Sequence, residues 1–170
     1  MSERAGGKDS GRNVTGFLLV ALPSALVLVL LVLAVPYYAG ASARISSLYT
    51  NLAVPADRAL TADIDGYSLN QHRNLAAAKL YLLKQVQAEE SFDNQLGGIT
   101  FPPAPDPHAD LLIAADQKRI KLIKLQMQAK TLRKLRSFNA DDIAAAAAVE
   151  TQVRIIRQDL GLPQVGGGLY

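Results

Sequence analysis

Hydrophobic positions in this chain fall into two regimes. From Phe17 to Val35 they are continuous: nineteen residues (FLLVALPSALVLVLLVLAV) with no charge and fourteen Leu, Val or Phe side chains. Beyond Pro36 they recur every third or fourth residue between charged and amide side chains, the spacing of an amphipathic helix.

The continuous run predicts a transmembrane signal-anchor helix over residues 17–36. At about 1.5 Å of rise per residue it reaches roughly 28 Å, close to the thickness of a hydrocarbon core. Its fourteen large apolar side chains together favour insertion by roughly 4–8 kcal/mol. Membrane lipid, met through residues 17–35, is therefore the first partner the sequence implies. Residues 1–16 are short, polar and glycine-rich, and read as a disordered cytoplasmic tail. Arg4, Lys8 and Arg12 precede the apolar run, whereas only Arg44 follows it closely. The positive-inside rule then gives a single-pass protein of the cytoplasmic membrane, N-terminus inside and C-terminal domain outside. The alternative is secretion after signal cleavage near Ala41 or Ala43, where Ala39-Gly40-Ala41 and Ala41-Ser42-Ala43 offer small-residue sites. The length of the run, and Tyr37-Tyr38 at the height of an outer aromatic belt, favour retention.

The periodic part predicts an all-α fold in which the single N-terminal transmembrane helix is followed by an antiparallel three- or four-helix bundle. Ile45, Leu48 and Leu52 mark a juxtamembrane helix over 37–55, which Pro55 interrupts. The extracytoplasmic bundle occupies 56–162. Its first helix runs from Asp57, is weakened at Gly66, carries Leu75, Ala78, Leu82 and Val86 on one face, and stops at a left-handed glycine in Leu96-Gly97-Gly98. The proline-rich ITFPPAPDP (99–107) is the turn to an antiparallel neighbour. In that neighbour Asp106 caps, Pro107 takes the first position, and two stripes run toward Ser137: Ile113, Ile120, Ile123, Met127, and Leu122, Leu125, Ala129, Leu132. Asn139 caps the last helix, whose core face is Val149, Val153, Ile156 and Leu160 and whose end is the glycine cap Leu160-Gly161-Leu162-Pro163. Residues 163–170 form a flexible tail.

Composition narrows the chemistry. The absence of cysteine excludes disulfides, thiolate metal sites and thiol nucleophiles. A net charge of +3 is too balanced to call for a nucleic-acid partner. The basic stretch from Gln117 to Arg136 holds eight Lys or Arg and no acid. Its functional reading is contact with anionic lipid, wall polymer or nucleic acid. At 100° per residue, however, the charges scatter around the helix, and no aromatic interleaves with them for base stacking. The stretch therefore reads as solvated charges with stems on the bundle, some of them facing Glu89, Glu90 and Asp93 of an antiparallel neighbour.

Thr61, Asp63, Asp65 and Gly66 resemble part of a calcium-binding EF-hand loop. Thr61 stands where the first carboxylate belongs, and His72 where the bidentate Glu belongs, so the ligands carrying much of the charge are missing. His108 beside Asp106 and Asp110 is a poor metal set, because both aspartates have helix-start roles. No nucleophile triad, zinc motif or phosphate loop is spelled out. The sequence assigns no catalytic, cofactor-binding or metal residue, no cofactor and no small-molecule substrate, and an enzyme is not expected. What remains is a binding or scaffolding role, with a protein partner or self-association, as an accessory subunit of a membrane or envelope assembly. The alternatives are an extracytoplasmic ligand-sensing bundle and a phage lysis protein of the spanin type.

Overall fold

The computed structural model describes the backbone of residues 15–164 and the side chains of residues 40 and 42–164. Residues 1–14 and 165–170 lie outside the described residues, and so do the side chains of the apolar run 17–35 on which the membrane reading rests. Among the described residues no helix is long and apolar enough to cross a membrane.

All regular structure among the described residues is helical: α1 (Thr15–Asn70), α2 (Leu75–Leu96), α3 (Asp106–Met127), the single turn α4 (Leu132–Arg136) and α5 (Asn139–Asp159). The chain divides into two compact units, Met1–Gly40 and Ala41–Tyr170. The first is helical from Thr15. The second is an antiparallel bundle built from the later part of α1 with α2, α3 and α5. Gly66 of α1 lies against Tyr81 of α2, and Gln85 of α2 donates to the carbonyl of Asp63. Gly97 of α2 meets Ile113 of α3, whereas Glu90 meets Lys124. Ser46 of α1 donates to the carbonyl of Leu160, and Tyr67 to the side chain of Asn139. Each pair of contacts runs in opposite chain directions.

Two apolar clusters fill the interior. One gathers Tyr49, Ala53, Leu60, Phe92, Leu112, Val153 and Ile156. The other gathers Tyr67, Ala78, Leu82, Val86, Ile120, Ile123 and Leu135. The predicted face of α5 is buried at all four positions, Val149, Val153, Ile156 and Leu160. Its end is a Schellman motif: Gly161 has φ +66°, the N–H of Leu162 reaches the carbonyl of Arg157 at 2.7 Å, and that of Gly161 reaches Gln158 at 3.0 Å.

Several predicted boundaries move. Pro55 does not end a helix, since α1 passes through it. An interior proline costs about 3 kcal/mol. Here the carbonyl it leaves unbonded is that of Asn51, on the exposed side. Opposite it, Tyr49, Ala53 and Leu60 are wholly buried and hold the segment helical. Residues 41–55 thus pack as part of the bundle instead of forming a separate juxtamembrane helix. The helix predicted from Asp57 to Leu96 instead breaks at residues 71–74, where Asn74 Oδ1 accepts from the N–H of Ala77 at 3.0 Å and starts α2. Gly97 is right-handed, with φ −62°. Asp106 is not a cap; Pro105 precedes α3 and Asp106 is its first-turn acid. The helix predicted to reach Ser137 stops at Met127, and Thr131 caps the separate turn α4. Phe138, not Asn139, stands at the cap position of α5, and it makes no side-chain cap bond.

Gly66 is needed for a close approach. A Cβ there would lie 2.2 Å from the Tyr81 ring. Gly66→Ala gains about 1 kcal/mol of helix propensity, but overpacking of this kind costs typically 1–3 kcal/mol. The expected net is a loss of about 1 kcal/mol in chemical denaturation, reversed when Tyr81→Ala is added.

Candidate functional site

The inward face of α3 reads Ala109, Leu112, Asp116, Arg119, Ile120, Ile123 and Gln126, all buried. Three of these side chains are polar, and Arg119 and Gln126 each meet polar partners on neighbouring helices. Together they form a ladder of polar groups through the bundle core.

Arg119 is the central rung, 1 % exposed. Its Nη1 donates to Glu89 Oε1, its Nη2 to Gln85 Oε1 at 3.2 Å and its Nε to Asp142 Oδ1 at 3.0 Å. Gln85 Nε2 in turn donates to the Asp63 carbonyl at 3.4 Å. One guanidinium thereby joins α2 to α5 and, through an amide, reaches α1. A planar fork with five donors suits this role, which a lysine cannot fill. Burial pushes the Glu89 carboxyl up to about 7; Arg119 opposes the shift, and Asp142 and Asp93 add to it.

A second rung is neutral. Gln126 Nε2 donates to Tyr67 Oη at 2.8 Å and to the Leu135 carbonyl at 3.1 Å. Tyr67 O–H donates to Asn139 Oδ1 at 2.7 Å, and Asn139 Nδ2 donates to Gln71 Oε1 at 2.7 Å. Burial pushes the Tyr67 phenol up to about 12, helped by Asp142 and opposed by its bond with Gln126. Two acids are also buried, Asp116 of α3 and Asp93 of α2; burial pushes the Asp93 carboxyl up to about 6, with Asp116 opposing the shift and Glu90 adding to it. Tyr49 of α1 is raised far above its ordinary range by burial, with Arg157 opposing and Asp116 adding. Arg157 also donates through Nε and Nη2 to the Pro163 carbonyl, at 3.0 and 2.8 Å, and pins the chain beyond α5.

Of the basic stretch, Arg119 belongs to the core, contrary to its reading as a solvated charge. Its position 100° from Lys118 decides the matter: one points inward and the other out. The predicted meeting with the acids of α2 occurs at Arg119–Glu89 and at Lys124–Glu90, the latter at 2.6 Å. Arg136 donates to the Gln71 carbonyl, and Lys134 lies over the Phe138 ring at 4.9 Å. Lys118, Lys121, Lys130 and Arg133 are exposed.

Thr61, Asp63, Asp65 and Gly66 lie inside α1, not in a loop, and His72 lies in the following turn. His108 stands 3.9 Å from Asp159 of α5. Among the described residues no group of three or more metal-ligating side chains converges. A groove of about 370 Å³ runs between α2 and α3, lined by Glu90, Asp93, Asn94, Gln117, Ile120, Lys121 and Lys124. The ladder fixes which helix faces which, because a slipped register would leave buried charges and amides without partners. The available signal for it was a run of polar residues at core spacing, Gln85-Glu89-Asp93 on one helix and Asp116-Arg119-Gln126 on the next. No protein-family model matches the chain, and no curated protein or solved structure does.

Proposed function

We propose that this chain is a single-pass, membrane-anchored helical-bundle protein with a binding or scaffolding role, an accessory subunit of a membrane or envelope assembly whose bundle lies outside the cytoplasmic membrane. The observation that carries the reading is the uncharged nineteen-residue run 17–35 in the sequence, ahead of a bundle with its own core. Two further features support it. The buried ladder specifies one arrangement of helices, as a fixed docking partner requires. Large apolar side chains also remain at the surface, Leu69 at 73 % exposure and Ile143 at 70 % among them. A ligand-sensing bundle is the second reading, favoured by the groove between α2 and α3, which presents both signs of charge.

The test is purification of a tagged full-length chain in mild detergent, with mass spectrometry of co-purifying proteins and a topology reporter fused after Tyr170. The expected result is a membrane fraction that resists carbonate washing, an external reporter, and a stoichiometric partner or second copy that Leu69→Glu or Ile143→Glu weakens. A monomeric chain released by carbonate, with a cytosolic reporter, overturns the proposal. A thermal shift with a small molecule that Lys121→Ala or Lys124→Ala removes favours the sensing bundle instead.

A further inference from the structure

We infer that the end of the bundle where α4 meets the turn after α1 is a docking face for an anionic lipid surface, with Arg73, Lys130, Arg133 and Lys134 meeting the phosphate headgroups. α3 stops at Met127, and Thr131 starts α4 as a separate turn. The cations from Lys130 onward therefore leave the rotation of α3, which would scatter them around one long helix. Arg136 Nη1 donates to the Gln71 carbonyl at 3.1 Å, and Asn139 Nδ2 donates to Gln71 Oε1 at 2.7 Å. These bonds hold residues 128–138 against residues 71–74, which carry Arg73. The two segments together contain five Lys or Arg and no acid. Of the five, Arg73, Lys130, Arg133 and Lys134 are exposed. The rest of residues 41–170 holds ten Lys or Arg against thirteen Asp or Glu.

That imbalance gives the face its occupant. An anionic bilayer attracts this end and repels the net-acidic remainder, so charge orients the bundle as well as holding it. The acids that follow in α5 are Asp141, which is exposed, and Asp142, which is paired with Arg119 at 3.0 Å. Leu69, in the last turn of α1, is 73 % exposed, and Ile143, near the start of α5, is 70 % exposed. Cations beside exposed apolar side chains suit the boundary between headgroups and acyl chains. A nucleic acid fits less well, because the rings at this end offer no stacking face. Tyr67 is buried, and Phe138 is half-buried with the Lys134 ammonium 4.9 Å from its centroid. This contact is separate from insertion of the apolar run and needs no protein partner.

The experiment is flotation of the full-length chain, held in discs of neutral phosphatidylcholine, with added vesicles. The vesicles are phosphatidylcholine alone or with about 30 % phosphatidylglycerol, at about 0.05 M and about 0.5 M salt. The chain should float with the anionic vesicles at low salt, and neither with neutral vesicles nor at high salt. Each cation contributes about fivefold to binding, so Lys130→Gln/Arg133→Gln/Lys134→Gln should weaken it about a hundredfold. Arg73→Gln alone should weaken it about fivefold, and serves if the triple variant does not fold. Lys118→Gln/Lys121→Gln/Arg154→Gln removes the same charge from exposed sites elsewhere and should change binding by less than about threefold. Equal flotation with neutral vesicles, a face variant that binds like wild type, or a control that falls as far as the triple face variant overturns the proposal. So does complete release of the chain by a DNA duplex carrying about a tenth of the lipid phosphate, which would make the face a nucleic-acid site. If carbonate washing shows the chain to be unanchored, the same mixture without discs tests this face by itself, and the two failures read separately.

Discussion

Arg119→Met is expected to destabilise the bundle by about 3–5 kcal/mol, the usual cost of removing one member of a buried ion pair. Methionine fills much of the arginine volume, so the loss is electrostatic more than steric. Glu89, wholly buried, keeps its desolvation penalty and loses the cation that opposes it, and Gln85 and Asp142 lose a donor at the same time. A loss of this size is a large share of the 5–15 kcal/mol that holds an ordinary domain together. Chemical denaturation of wild type and variant measures it. Lys118→Met, one residue away and exposed, should change stability by less than about 0.5 kcal/mol. Adding Glu89→Leu to Arg119→Met should recover much of the loss, because an apolar pair replaces a stranded charge. Were Arg119 one more solvated cation of the basic stretch, the two methionine variants would behave alike, and such a result would remove the central rung.

Some of this architecture was legible in the letters. The face of α5 and its glycine cap follow from apolar spacing and from Gly161 two residues ahead of Pro163, because both depend on local geometry. The proline-rich turn and the approach of the α2 acids to α3 follow for similar reasons. The continuity of α1 through Pro55 was not legible, since burial of Tyr49, Ala53 and Leu60 outweighs a local penalty and burial is a property of the whole fold. The turn at 71–74 carries only the weak mark of Asn70 and Asn74 among good helix formers. The ladder was hidden for a different reason. A rule that sends polar residues to water places Gln85, Glu89, Asp116, Arg119 and Gln126 outside, and it drew one α3 stripe through Leu125, which is 53 % exposed. Only the partner helices show that Arg119 meets Glu89, Gln85 and Asp142 and that Gln126 meets Tyr67.

Asn139 separates the two kinds of reading most sharply. As the first residue of α5 in sequence it has the identity of a cap, and serine caps about as well as asparagine, so Asn139→Ser should cost a few tenths of a kcal/mol if capping were its role. In the folded bundle its amide instead accepts from Tyr67 and Gln126 and donates to Gln71, joining α1, α3 and α5. Serine is too short to span these groups and leaves a part-buried phenol and amide short of partners, each worth about 1–3 kcal/mol when unsatisfied. The expected loss for Asn139→Ser is about 2–3 kcal/mol. Asn139→Asp keeps the acceptor for Tyr67 but places a second oxygen against Gln71 Oε1, and an acid at a helix start regains about 0.3–1 kcal/mol. Its loss should therefore be the smaller of the two, about 1–2 kcal/mol. Tyr67→Phe should cost less in the Asn139→Ser background than in wild type, because the bond it removes is already gone. Denaturation curves in which both substitutions stay within 0.5 kcal/mol of wild type would return Asn139 to the cap and leave the neutral rung without an energetic role.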